Sequence, residues 1–307
     1  MTNTFLPLAP ANAQGGLSFF LILLYLLCLF FPAGVLAAEA PQTPRKALVL
    51  FTFGTTYAQT KDPLEVLRKE IAARHPGLTV RLAYSSAHVA ASLKAKGQQA
   101  ETLPQTLADL SADGYTHIAV QSLHVIPGLE FDIARDITGR YANLPKGIRR
   151  VSLGRPLIGS HEDAKAVASI LLDALPAERN TEDAVVLVGH GAASPSGSLA
   201  YPALQCFLTR LDPRILVGTI EGPFTLESIL SALKAAGSKK VWLLPLLTAV
   251  GDHADNDIFG NEDDSWKKTF SNAGIQAIPI SRGLLAVPAL AALWADHADQ
   301  ALADLSD

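Results

Sequence analysis

Cysteine is nearly missing from this chain: Cys28 and Cys206 are the two in 307 residues. Cys28 falls in an apolar N-terminal run, so once that run is removed a single thiol remains and no internal disulfide can form. The core must then hold by packing alone. Cys206, close to Leu204, Phe207 and Leu208, reads as a small buried helix residue rather than a nucleophile. Basic residues are also few, with 25 Lys and Arg against 29 Asp and Glu and a formal net charge of −4. That balance argues against a nucleic-acid partner, which would call for a strong basic excess, and points to small molecules. Low-complexity segments are absent beyond residue 40.

No Lys or Arg occurs before Arg45, yet Leu17 to Phe31 is an uncharged apolar run followed by Pro32, Gly34 and small residues. Residues 1–40 therefore read as a signal peptide without the usual positive start. Cleavage is expected near Ala38-Glu39-Ala40 or Val35-Leu36-Ala37, which would place the remainder in the periplasm with no stable membrane span. The alternative is an uncleaved anchor, since Leu17 to Ala38 is just long enough to cross a bilayer. Leu27 before Cys28 speaks against a lipoprotein attachment site.

What the chain does have is a repeat. Leu103, Leu107, Leu110, Ala112, Gly114, Leu123, Gly128 and Asp132 match Leu226, Leu230, Leu233, Ala235, Gly237, Leu246, Gly251 and Asp255 at one constant offset. The pattern is physical as well as literal: leucines at helical spacing, a glycine where the helix stops, an apolar strand, then a second glycine. Continuous apolar strands are expected at Lys46 to Phe53, Thr79 to Tyr84, His117 to Val125 and Arg149 to Leu153. In the second half they fall at Ala184 to Val188, Ile215 to Ile220 and Lys240 to Leu247. Alternating with helices, such as one around Pro63 to Ala73, they define an α/β protein of two similar Rossmann-like domains, each a parallel sheet flanked by helices, with a cleft between them. The expected boundaries are 41–156 and 157–307, with a linker near Gly154 to Ser160.

Ligands of such sheets collect at the carboxyl ends of the strands, and the polar residues of interest lie there. His190 stands between Gly189 and Gly191 after a strand; Glu221 follows the next one. The repeat places His253 on the position of Glu130, so equivalent strand ends present an imidazole and a carboxylate. His124 and His88 stand near strand ends too. His75, His161 and His297 read as surface residues. The acidic stretch Asp252 to Asp264 lacks the ligand spacing and central glycine of an EF-hand.

The segments LVGHG (Leu187 to Gly191), HVIPGLE (His124 to Glu130), LLTAVGDHADND (Leu246 to Asp257) and EDDSW (Glu262 to Trp266) resemble those of the anaerobic-type sirohydrochlorin cobaltochelatases, which are class II chelatases like the ferrochelatases. The resemblance implies two Rossmann-like halves enclosing a macrocycle and insertion of Co²⁺ into sirohydrochlorin, an early step of cobalamin biosynthesis, with no organic cofactor. It also implies that His190 and His253 bind the metal and that Glu130 is the cleft glutamate, with Glu221 a further candidate for ligand or proton acceptor. Imidazole suits late first-row metals, and a carboxylate suits the two pyrrole protons that must leave. Arg155, Ser85, Ser86, Thr55, Thr56, Ser194 and Ser196 are candidate donors to the macrocycle's carboxylates. Most of that family is cytoplasmic, so the leader is a departure. It keeps open an exported metal or tetrapyrrole carrier, beside a chelatase for Fe²⁺, Ni²⁺ or Zn²⁺. A homo-oligomer is compatible with all of these.

Overall fold

The computed structural model describes residues 43–55, 61–251 and 254–306. The leader, Thr56 and the pair 252–253 lie outside them, so the signal-peptide reading falls on residues not described. Among the described residues no helix is long and apolar enough to cross a membrane.

The first half contains β1 (Lys46–Thr52), α1 (Lys61–Arg74), β2 (Thr79–Tyr84), α2 (Ala87–Ala95), α3 (Leu103–Ala112), β3 (His117–Ser122), α4 (Leu129–Tyr141) and β4 (Arg150–Gly154). The second contains α5 (His161–Asp173), β5 (Ala184–Gly189), α6 (Pro195–Leu211), β6 (Ile215–Thr219), α7 (Leu226–Ala235), β7 (Lys240–Pro245), α8 (Trp266–Asn272), β8 (Gln276–Pro279) and α9 (Pro288–Ala303). The strands form two four-stranded parallel sheets, ordered β2-β1-β3-β4 and β6-β5-β7-β8. The same order in both sheets is the expected duplication made visible.

Why each strand is apolar throughout follows from what covers it. In β1, Leu48 and Leu50 enter one hydrophobic cluster while Ala47, Val49 and Phe51 enter another. In β5, Val185 and Leu187 enter the first of these clusters while Ala184, Val186 and Val188 face a third. Successive side chains point to opposite faces, so both faces are buried and polar alternation is lost. One face of each sheet thus lines a common core, filled by side chains of α1, α5, α6 and α9.

The repeat extends to hydrogen bonds. Offset by 123 residues, α3 falls on α7 and β3 on β7 end to end. Gly114 and Gly237 both take positive φ, 82° and 65°, after their helices, where the left-handed backbone favours glycine. Tyr115 N donates to Leu110 O at 2.9 Å and Ser238 N to Leu233 O at 3.0 Å; Leu123 N donates to Phe51 O at 2.7 Å and Leu246 N to Val188 O at 2.8 Å. The copies part after the second glycine. Gly128 caps a regular thirteen-residue helix, whereas the stretch after Gly251 includes a single π turn, Ala254–Ile258.

Two sequence expectations are corrected. Cys206 is exposed, not buried: the apolar stripe of α6 is Ala200, Tyr201, Leu204 and Leu208, and residue 206 falls on the other side of the helix. His297 is 1% exposed rather than superficial. It lies three residues after Trp294 on the stripe of α9 that includes Leu290, Ala298 and Ala301, and its Nε2 lies 3.1 Å from Asp163 Oδ1.

Candidate functional site

Because every sheet is parallel, the carboxyl ends of its strands gather along one edge, and the turns carrying the candidate residues all start there. β5 ends in Gly189-His190-Gly191. A Cβ on Gly189 would lie 2.6 Å from the Tyr201 ring, and one on Gly191, whose φ is +104°, would run into the carbonyl of Glu221. His190 is therefore flanked by two glycines for two different reasons: one admits an aromatic ring, the other a backbone strand end. Glu221 N donates to His190 O at 2.9 Å, joining the turns that follow β5 and β6. His190 is half-buried and the residue Glu221 is exposed.

Glu130 lies in the first turn of α4, behind the cap residue Gly128, where the helix dipole favours a carboxylate. The preceding loop is pinned to the second half. Ser194 and Ser196, in the cap and first turn of α6, donate to Pro127 O at 3.2 and 3.1 Å. The start of α6 comes close to this loop, since a Cβ on Gly197 would stand 2.8 Å from Ala192 Cβ and 3.1 Å from Gly128 Cα. Thr248, after β7, donates to Leu123 O at 2.6 Å. Tyr201 joins α6 to the turn after β5. Its hydroxyl accepts from Gly191 N at 3.0 Å and lies 3.4 Å from Gly191 O. Burial pushes it up to about 12, a hydrogen bond with Gly191 opposes that, and the charge of Glu130 adds to the rise.

Glu130, His190 and Glu221 are thus tied into neighbouring turns. His253 lies outside the described residues; Gly251 before it approaches Thr55, whose Oγ1 would be 3.5 Å from a Cβ there. Among the described residues no three His, Cys, Asp or Glu side chains form a metal-sized group. Between the ends of β1 and β2 and the loop after β7 lies a cavity of about 180 Å³, lined by Thr52, Thr55, Tyr84, Gln99 and Thr248 among others.

The other candidates have separate employment. His124 is sandwiched by serines, with Nδ1 3.0 Å from Ser122 Oγ and Nε2 3.5 Å from Ser85 Oγ, and desolvation lowers its imidazole to about 4. A histidine so held stays neutral near pH 7. His88 is exposed in the first turn of α2, where Ser86 is the cap and accepts from Val89 N. Arg155 pairs with Asp163 at 2.8 Å. Sequence reasoning missed Tyr201. Its signal was present in the stripe of α6, but an aromatic on a core face reads as packing until the glycine beside it is seen.

Two stacked copies of a parallel α/β unit, with candidate ligands at the strand ends, define the class: this is the two-lobed chelatase fold. Among solved structures it resembles SirB from Bacillus subtilis with Fe³⁺, at a TM-score of 0.56 and 17% identity, over 85% of this chain and 96% of that one. The particular family follows from sequence: residues 46–303 match the model of the cobalt chelatase (CbiK) family, and the chain belongs to that family. It is 35% identical to the sirohydrochlorin cobaltochelatase CbiKC of Nitratidesulfovibrio vulgaris, over 86% of this chain and 93% of that protein. It is also 35% identical to the sirohydrochlorin cobaltochelatase of Salmonella typhimurium, over 84% and 97%.

Proposed function

We propose that this chain inserts Co²⁺ into sirohydrochlorin. The observation that carries the reading is the family match, which spans nearly every described element, from β1 to α9. Supporting it, the turns of His190 and Glu221 are hydrogen-bonded together, and the loop before Glu130 is bonded to the start of α6.

In this reading His190 and His253 take Co²⁺ as substrate, exchanging part of its water for imidazole nitrogen without holding it too tightly to release. Glu130, with Glu221, accepts the two protons that leave the pyrrole nitrogens as the ion enters the ring, so charge balances: one dication in, two protons out. Ser85, Ser86, Thr55 and Thr56 are donors for the macrocycle's carboxylates; Ser194 and Ser196 are engaged by Pro127 and serve the loop instead. No organic cofactor is required by this chemistry. We also propose that residues 1–40 direct export and that 41–156 and 157–307 are the two halves that act on the ring.

The test is to mix the purified protein, sirohydrochlorin and Co²⁺ and follow the absorbance spectrum. Product beyond one equivalent per chain supports the enzyme; a plateau at one equivalent would favour a carrier. His190→Ala and His253→Ala should each abolish turnover, and Glu130→Gln should lower kcat by about 100-fold or more. Wild-type rates in any of the three remove that residue from the mechanism. For export, the amino terminus of protein recovered from the periplasm should begin near Ala38 to Pro41; an intact Met1 there sinks the cleavage.

A further inference from the structure

We infer that Tyr201 is the positioning residue of the site: its hydroxyl holds the backbone of Gly191 and so fixes the direction in which the adjoining His190 presents its imidazole. The inference deepens the chelatase reading and rests on it for the role of His190.

The geometry is specific. Tyr201 is 4% exposed and sits on the stripe of α6 that enters the core common to both sheets. Its ring lies against Gly189, the residue before His190, and its hydroxyl reaches Gly191, the residue after it. One side chain therefore grips the turn at both of its glycines. The hydroxyl accepts from the Gly191 N–H at 3.0 Å and can donate to the Gly191 carbonyl at 3.4 Å, so both polar roles of a phenol are used on one residue. From the other side the turn is held by Glu221, whose N–H donates to His190 O. A three-residue turn clamped from two sides loses the freedom its glycines would otherwise give it. A metal ligand gains affinity when its direction is fixed before the ion arrives, because less ordering remains to be done on binding.

Alternatives fail on contacts. As a proton carrier Tyr201 would need exposure to the reacting ring, and it is buried; as packing alone it would not need its hydroxyl. The charge of Glu130 acts on the same phenol and helps keep it neutral.

Tyr201→Phe preserves the ring and removes the grip. The experiment measures Co²⁺ binding by calorimetry, and kcat and KM for each substrate, in wild type, Tyr201→Phe, His190→Ala and the double variant. Expected is about a tenfold weaker Co²⁺ affinity for Tyr201→Phe, the order of one buried hydrogen bond left unmade, with KM for sirohydrochlorin unchanged. In the His190→Ala background the same change should have no further effect on Co²⁺ affinity, because it acts through that imidazole. Unaltered affinity in Tyr201→Phe, or an equal loss in both backgrounds, overturns the inference. Should wild type bind Co²⁺ yet insert none into sirohydrochlorin, the chelatase reading fails while the binding cycle still decides Tyr201. If Tyr201→Phe does not fold, Gly189→Ala displaces the same ring from the opposite side and should show the same dependence on His190.

Discussion

A methyl group added at residue 191 would meet the carbonyl of Glu221 on a backbone already at φ +104°. Gly191→Ala should therefore cost about 1–3 kcal/mol in unfolding stability, with a larger loss of Co²⁺ affinity; an unchanged melt would show that the turn has another conformation to use. His124 makes a different prediction. Its imidazole is lowered from 6.5 to about 4 by desolvation, so the unfolded chain binds its proton first as pH falls. Stability is then unaffected above about pH 6.5 and is lost progressively from there toward pH 4. An NMR titration placing the His124 midpoint near 6.5 would refute this. Cys206 should react with a thiol reagent in the native protein, peptide mapping locating the label, with turnover unchanged. The places of His190 and Glu221 in the chain were legible because they come just after the apolar strands β5 and β6, and that of Glu130 because the repeat marks the glycine before its helix. Tyr201 and His297 were not, since their meaning depends on Gly191 and Asp163, partners 10 and 134 residues away.

The helices repeat their stop and start signals along with their leucines. Thr225 caps α7 by accepting from Ser228 N at 3.3 Å, while at the equivalent Thr102 the side chain of Gln105 takes the backbone N–H at 2.9 Å. Thr225→Ala should cost about 1 kcal/mol, measurable as a shift in the denaturant midpoint without a change in slope; a cost near zero would mean that water replaces the cap. The strands could be placed from sequence because burial on both faces leaves an unbroken apolar run. β3 stops at Ser122, short of the expected Val125: Leu123 N still donates to Phe51 O, but the N–H of His124 turns to Ser122 Oγ at 3.3 Å. β8 was missed for the opposite reason. It is a four-residue strand with pairing to β7, half exposed at the sheet's edge, and gives no such run.

For the molecule as a whole, the halves are held by polar clasps as well as by the common core. Asp163, at the start of α5, is 3% exposed and meets both His297 of α9 and Arg155 of the crossover. Desolvation opposes its charge, but hydrogen bonds from His297 and Arg155 outweigh it and hold the carboxyl well below the usual carboxylate range. A depressed carboxylate stabilises above its ordinary value of 3.8 and loses that contribution as pH falls below it. Asp163→Asn should cost roughly 2–4 kcal/mol at neutral pH, toward the lower end of a buried pair because Arg155 is partly in water. It should also flatten the acid limb of the stability curve; a limb identical to wild type would rule the clasp out. α9, the last helix, does not cover the second sheet. It packs on β3, β4 and α1 of the first, where Ser152 Oγ donates to Ala301 O at 2.6 Å and Arg74 meets Asp296 and Asp299 at 2.8 and 2.9 Å. In chain order α9 comes after both sheets, so during synthesis the amino-terminal lobe keeps one wall bare until that helix has been made.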